Sequence, residues 1–393
     1  MTVAQAAPTR PTDRIEELDL LRGFAVFGIL VVNMTVFSGS AWSTDEFVGR
    51  ADQLAYRGVE LFAEGKFLNL FSFLFGVSFA MQMRRLRGRS DRPVTLYSRR
   101  LAALFVIGLI HGIFVAWVDV LQAYALLGML LLLLSRLPQR MVVVFAILCF
   151  VLPVSYAVID AGGPLSAVVA EWRDAYPDGT YAQLVSVRLE FWRWIYSSPS
   201  WYVSILGTEF VLFLLGMGAG RLRFFERLDH QLLRLRMALP WLAISATVLT
   251  VANLLFDGSR LGFSEEVASA LQDRLSLLGA LSLSGAYAAT LIILVQTPAW
   301  SNRLAPLALA GRMALTNYVL QSVICGLVFY ESGLGFYGLM GPAVGLGLTV
   351  LIFAVQLLIS SWWLRVARFG PLEWLWRCAT YGNLQPLRVR LPA

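Results

Sequence analysis

Lysine is almost missing from this chain: of 32 basic residues, Lys66 is the single lysine and the rest are arginines. Histidine occurs twice, as His111 and His230, and cysteine three times. Cys149 and Cys325 lie in apolar runs and Cys378 in a polar tail, so no disulfide framework is expected. No CxxC or Cys/His pair has metal-ligand spacing, and no metal is expected. Charge is scarce too. Charged residues make up 15% of 393, yet the net charge is +7 because arginines gather in a few short segments. Apolar residues are plentiful, at 58% with a mean hydropathy of +0.67, more than a water-facing surface tolerates. Lipid is therefore the main solvent. The clustered arginines read as topology signals, with no nucleic acid as partner.

A helix crosses about 30 Å of hydrocarbon with roughly twenty mostly apolar residues. Such runs lie at 20–39, 62–83, 101–118, 120–135, 141–160, 201–220, 237–256, 274–296, 305–329 and 342–364. The expected fold is an all-α, polytopic membrane bundle of about ten transmembrane helices, with one transmembrane domain over 20–364. Arginines then test the side of each connection. Arg84, Arg85, Arg87, Arg89, Arg92, Arg99 and Arg100 follow the second run, and Arg221, Arg223, Arg227, Arg234 and Arg236 follow the sixth. Arg365, Arg368, Arg377, Arg388 and Arg390 follow the tenth. The opposite connections carry Asp45, Glu46, Asp52, Asp257, Glu265 and Glu266. Both tails, 1–19 and 365–393, are thus expected in the cytoplasm and the segment 160–200 outside.

The polar start precedes the first run without a small-residue cleavage site, so an uncleaved first helix is expected. The setting is a bacterial plasma (inner) membrane, with lipids as partners and a homodimer left open. The basic stretch Arg221 to Arg236 predicts a cytoplasmic interfacial helix. GxxxG spacings at Gly108/Gly112, Gly216/Gly220 and Gly341/Gly345 predict close helix approach. In the outside segment, Trp172, Tyr176, Tyr181, Trp192, Trp194 and Tyr196 accompany Arg173, Arg188 and Arg193. They suit either an interfacial aromatic belt or a sugar site.

Polar groups at membrane depth cost about 2.5 to 3.5 kcal/mol on insertion scales, so they usually face a cavity or a partner. Asp19 and Arg22 stand one turn apart at the mouth of the first run, with Asn33 deeper. They read as an ion pair or as an anion site. Glu60, Glu64, Lys66 and Asn69 open the second run, as an acid–base group or a structural ion pair. His111 lies in the third, with Asp119 and Tyr124 beyond it. Asp119 is eight residues further on, roughly 12 Å along a regular helix, which predicts no direct hydrogen bond to His111. Glu209 lies in the sixth run, and Arg312, Thr316, Asn317 and Gln321 in the ninth. Arg312, about eight residues into its run, needs an internal carboxylate or a ligand phosphate. Together these groups predict a polar cavity that moves a solute or performs chemistry.

The stretch Arg14-Ile15 to Leu18-Asp19-Leu20-Leu21-Arg22-Gly23-Phe24-Ala25, followed by Gly28 and Asn33, resembles the opening of the YeiB-type bacterial membrane proteins. Similar stretches are Glu64-Gly65-Lys66-Phe67, Leu70 to Gly76, His111 with Trp117 and Asp119, and Gly311-Arg312 with Leu315 to Tyr318 and Gln321-Ser322. Gly370 to Arg377 with Thr380-Tyr381-Gly382 completes a likeness that covers nearly the whole chain. That family is similar in turn to the transmembrane acyltransferases, which pass an acyl group from acyl-CoA inside to an extracytoplasmic sugar or lipid.

The resemblance implies acyl-CoA, acetyl-CoA first, as donor and an envelope sugar or lipid as acceptor. It makes Arg22 and Arg312, with Asn33, donor-binding residues and His111 the nearest base, with Glu64 and Asp119 as further catalytic candidates. Lys66, Tyr124, Glu209, Asn317 and Gln321 are the candidates for holding substrate. Many superfamily members carry a histidine eleven positions after the first-helix arginine, where this chain has Asn33. Relatives of the lysosomal glucosaminide acetyltransferase share an asparagine there but carry a histidine soon after. Here no histidine precedes His111. His111 or Glu64 then takes that role, or the fold is kept without acyl transfer. An organic-anion transporter and a non-catalytic envelope assembly protein are the other readings.

Overall fold

The computed structural model describes residues 14–40, 49–117, 119–151, 176, 179–198, 208–258 and 262–388. Among these the regular structure is helical, and the one β feature is an isolated bridge between Ala367 and Arg388. Helices are numbered in chain order: α1 Glu16–Phe37, α2 Arg50–Phe62, α3 Lys66–Arg87, α4 Pro93–Ile110, α5 Leu121–Leu134 and α6 Gln139–Val151. Then come α7 Tyr181–Ser197, α8 Glu209–Arg221, α9 Leu228–Leu255, α10 Glu265–Val295, α11 Pro298–Arg312, α12 Ala314–Phe329, α13 Pro342–Val366 and α14 Pro371–Tyr381.

Six helical stretches among the described residues are long and apolar enough to cross a bilayer: α1, α2 with α3, α4 with the turn after it, α9, α10 and α13. A seventh results if α11 and α12 count as one span. The chain is a polytopic helical membrane protein. The remaining runs fall on shorter apolar helices, α5 and α6, and on α8, while 152–160 and 201–207 lie outside the described residues. So do Trp172, Arg173, Asp45 and Glu46.

The structure departs from the expected elements at three places, each for a local reason. The second run falls on α3, and the residues ahead of it form a helix of their own, α2, set off by Gly65 at φ 75°, a left-handed conformation that glycine reaches freely. The basic stretch after α8 is no separate interfacial helix. A short turn at Phe225–Arg227 leads directly into α9, which carries Arg234 and Arg236 on its first turns. The ninth run is broken at Met313, and α11 and α12 meet at 79°.

Without a hydrophobic drive between helices in lipid, small residues decide where backbones meet. α1 packs against α3, α11, α12 and α13. A Cβ on Gly311 would strike the Asp19 carbonyl, and one on Gly23 the Leu307 carbonyl, so α1 and α11 cross in backbone contact beside Arg22 and Arg312. Gly76 and Gly216 do the same for α3 and α8. The tail after α13 folds back as α14, which starts at Pro371, ends at left-handed Gly382 and packs on α4 and α12.

Candidate functional site

A cavity of about 320 Å³ opens where α1, α3, α4, α14 and the α11–α12 break converge. Arg14, Arg22, Arg85, Arg89, Arg100, Arg312 and Arg377 line it, against two carboxylates, Asp19 and Glu373. Asp19, in the first turn of α1 where the helix dipole favours a negative charge, accepts from Arg14 Nε at 2.5 Å and Arg22 Nη1 at 2.6 Å. Arg22 Nη2 also donates to Ser78 Oγ at 2.7 Å. Of the two readings the structure shows the ion pair, and it places that pair in the lining of the cavity.

Arg312 is the last residue of α11, at the break, rather than a point within a continuous span, and its Nε is buried without a partner. Glu373 reaches from α14 to the start of α12, accepting from the Leu315 and Thr316 backbone N–H groups at 2.8 and 3.1 Å and from Thr316 Oγ1 at 2.5 Å. It caps α12 from a distant helix. Burial pushes its carboxyl above the ordinary range while these hydrogen bonds pull it down. The Arg100 guanidinium lies 3.4 Å from the Trp376 ring centre, and Trp376 Nε1 donates to the Arg100 carbonyl at 2.7 Å.

Deeper, the lining turns apolar through Leu74, Phe75, Leu104 and Leu121 and ends at Tyr124 and Tyr318. The Tyr318 ring lies 5.1 Å from the His111 ring. At His111 the helix loosens into a π turn, His111–Val115, and Ala116 becomes extended at φ −154° and ψ 130°. The chain reverses there before α5, so Asp119 folds back onto the end of α4. His111 Nδ1 and Asp119 Oδ1 stand 3.0 Å apart, which overturns the expectation drawn from a regular helix. Asp119 Oδ2 accepts from the Gln122 backbone N–H at 3.0 Å. Both side chains of the pair are at most 3% exposed. With Nδ1–H donated to the carboxylate, Nε2 keeps a lone pair, and it is buried with no partner.

A helix α7 fastens this hairpin. Tyr181 Oη and Arg188 Nη1 donate to the Phe114 carbonyl at 2.8 and 3.3 Å, and Trp192 Nε1 donates to Gln122 Oε1 at 2.7 Å. The last of these groups returns to α4 through Gln122 Nε2 and the Gly108 carbonyl at 3.1 Å. Arg188 is buried and donates to Tyr176 Oη at 3.1 Å. These aromatic and basic residues hold the turn.

Comparison with known proteins joins the two halves of the site. A family model described as "Heparan-alpha-glucosaminide N-acetyltransferase, catalytic" matches residues 14–170, and one described as "Protein of unknown function (DUF418)" matches residues 219–383. The uncharacterized protein YxaH of Bacillus subtilis is 33% identical, over 97% of this chain and 97% of its own length. The chain belongs to the YeiB-type, DUF418 family. Uncharacterized protein YeiB of Escherichia coli is 28% identical over 94% of this chain, and an uncharacterized 39.9 kDa protein of Bacillus acidopullulyticus 28% identical over 98%. In this YeiB-type protein the first match contributes Arg22, Arg100, His111 and Asp119, and the second Arg312, Glu373 and Arg377. The first region is similar to an acetyltransferase catalytic model, and the second supplies the rest of the cavity lining.

Other sequence candidates stand elsewhere in the YeiB-type bundle. Asn317 Nδ2 donates to the Ala310 carbonyl at 3.0 Å and Ser360 Oγ at 3.1 Å, and Gln321 Nε2 to Gln356 Oε1 at 2.8 Å. They bind α12 to α13 across the break and do not line the cavity. Glu64 is exposed in the α2–α3 turn, Lys66 Nζ donates to the Glu60 carbonyl at 2.9 Å, and Asn33 is half-buried on α1. None of the three faces the arginines. Tyr124 Oη bonds Ser72 Oγ at 2.6 Å in the wall of the cavity, and Glu209 opens α8 with Oε2 buried and unpartnered. Arg85, Arg89, Arg100 and Arg377 appeared in the sequence only as charges of the loops and tail. Their place one turn beyond an apolar run was a weak signal that they also line a mouth.

Proposed function

We propose that this protein is an acyl-CoA-dependent acyltransferase that passes an acyl group, acetyl first, to a hydroxyl or amine of an extracytoplasmic sugar or lipid. The observation that carries the reading is a cavity with arginines at its mouth and an apolar throat ending at Tyr318, whose ring separates the lining from the buried His111–Asp119 pair, with the His111 ring 5.1 Å behind it. Planar guanidinium forks suit phosphate oxygens, and a ligand with several phosphate charges is the natural counterpart of seven arginines facing two acids. The buried, unpartnered Arg312 Nε fits such a ligand. The donor supplies a thioester carbonyl. The acceptor oxygen or nitrogen would bond to the thioester carbon as its C–S bond breaks. His111 Nε2 would take the acceptor proton and return it to the departing thiolate, released as free CoA thiol, while Asp119 holds Nδ1–H and steadies the imidazolium between the two transfers.

The match of residues 14–170 to an acetyltransferase catalytic model supports this reading. The proposed setting is the bacterial plasma membrane with about ten spans, both tails and the arginine mouth on the cytoplasmic side, because the arginine-rich connections alternate with acidic ones. Transport of a small organic anion is the second reading, favoured by one observation, the 79° break with Arg312 at its apex.

Thermal melting of the purified protein with acetyl-CoA tests the first reading. Stabilisation in wild type and its loss in Arg312→Ala are expected. No stabilisation in wild type, or an unaltered response in Arg312→Ala, overturns it. Exchange of a labelled organic anion across proteoliposomes without acyl transfer would favour the second.

A further inference from the structure

Outside the arginine cavity, a second basic site lies where α3, α5 and α8 end together. Arg84, Arg87, Arg221 and Arg223 line a groove of about 290 Å³ with Ser135, and Phe79, Met83 and Met217 form its apolar part. The loop-charge bias explains arginines at this end of the bundle. It does not explain four of them facing one groove with so little acid to match. Glu226 pairs with Arg84 and stands 3.8 Å from Arg223 Nε. Arg221 donates to the Ser135 and Leu137 carbonyls at 2.8 and 3.0 Å, which ties the α5–α6 connection to α8. The Arg87 side chain makes no hydrogen bond or ion pair among the described residues.

Arg223 is the one non-glycine residue with positive φ, at 57°, among those described. Glycine would adopt that conformation without the Cβ clash, so the backbone carries strain that presents a guanidinium. Polarity then changes in one direction along the groove. Phe79 lies eight residues before Arg87 on α3, about 12 Å along the axis, and Met217 one turn before Arg221 on α8. Leu133, two residues before Ser135, and Leu222, between Arg221 and Arg223, are 70% and 69% exposed, an apolar surface that suits acyl chains. A cationic rim above an apolar floor at a helix-end boundary matches a molecule with an anionic head and an acyl chain. A free phosphate would leave the apolar half unused.

We propose that this groove binds an anionic phospholipid, with Arg87 and Arg223 holding its headgroup phosphodiester and the apolar side chains lying against its first methylenes. The site is independent of acyl transfer. Delipidated protein in neutral detergent, offered equal phosphatidylglycerol and phosphatidylcholine and examined by native mass spectrometry, tests it. Wild type should retain phosphatidylglycerol selectively. An arginine near an anionic headgroup contributes about fivefold, so Arg87→Gln with Arg223→Gly should lower that retention roughly 25-fold. Arg223→Gly also relieves the backbone, so the fold should persist. If the double variant does not fold, Arg87→Gln alone, which breaks no bond within the described fold, should show a loss of about fivefold. Equal retention of phosphatidylcholine, full retention by the variants, or displacement by chain-free glycerol 3-phosphate at equal concentration would each overturn the assignment.

Discussion

The two ends of the site are built in opposite ways. At the mouth, arginines arrive from α1, α3, α4, α11 and α14 and from the segments flanking α1 and α3, and positive charge outnumbers the acids around it. At the far end, His111 and Asp119 come from one stretch of nine residues, and their polar atoms are satisfied except for Nε2. The mouth is assembled by long-range packing and suits a highly charged ligand. The His–Asp end is made by a local helix break and suits proton transfer. Binding and chemistry therefore fail separately, and substitutions can pull them apart.

The largest separation should come from His111→Ala. Loss of a general base lowers acyl transfer, read as thiol release in the presence of membrane acceptors, by about 10²- to 10⁴-fold. Acetyl-CoA stabilisation of the same variant should stay as in wild type. Asp119→Asn should lose no more than His111→Ala, because it acts only through His111, whose required tautomer an amide no longer holds by accepting the Nδ1 proton. At the mouth, Arg312→Ala should weaken the donor instead. A charge-assisted hydrogen bond is worth about 1.5 to 3 kcal/mol, so a roughly 10- to 100-fold rise in Kd by calorimetry is expected, with the turnover of bound donor little changed.

Glu373→Gln sharpens the comparison further, since this carboxyl organises the mouth without belonging to the ligand's charge. Losing part of the cap on α12 should cost about 1 kcal/mol, read as a lower melting temperature. Burial raises this carboxyl, so its stabilising contribution is full below the ordinary carboxyl range and fades as pH rises through the raised value. The variant should lose that part of the pH dependence. The smallest effect belongs to Gln321→Ala, which breaks one interhelical hydrogen bond between α12 and α13. Such bonds average about 0.6 kcal/mol in membrane bundles, and donor affinity should be unchanged.

Arg22, Arg312, His111, Asp119 and Tyr124 were all legible as intramembrane polar residues, because their cost in lipid makes each conspicuous. That same cost drew attention to Asn317 and Gln321, whose partners turn out to be Ser360 and Gln356 on α13. A polar group in lipid signals that a partner exists, and does not say whether that partner is protein or ligand. Arg85, Arg89, Arg100 and Arg377 escaped notice for the reverse reason. At the ends of spans, charge is cheap, so nothing in its placement distinguished a topology signal from a binding group.

Hydropathy alone determined that lipid is the solvent and that the chain is a bundle of apolar helices, because both depend on composition summed over runs of roughly twenty residues. Where those helices break was decided by tertiary structure. α4 opens at His111 against the Gly108 and Gly112 surface, where Asp119 and Gln122 pack and α7 holds the Phe114 carbonyl. α11 stops at Arg312 where the start of α12 takes its cap from Glu373, 57 to 58 residues away in sequence. A regular helix keeps residues eight apart on separate turns, and only the cost of breaking it, offset by distant partners, brings His111 to Asp119 and Arg312 to the mouth.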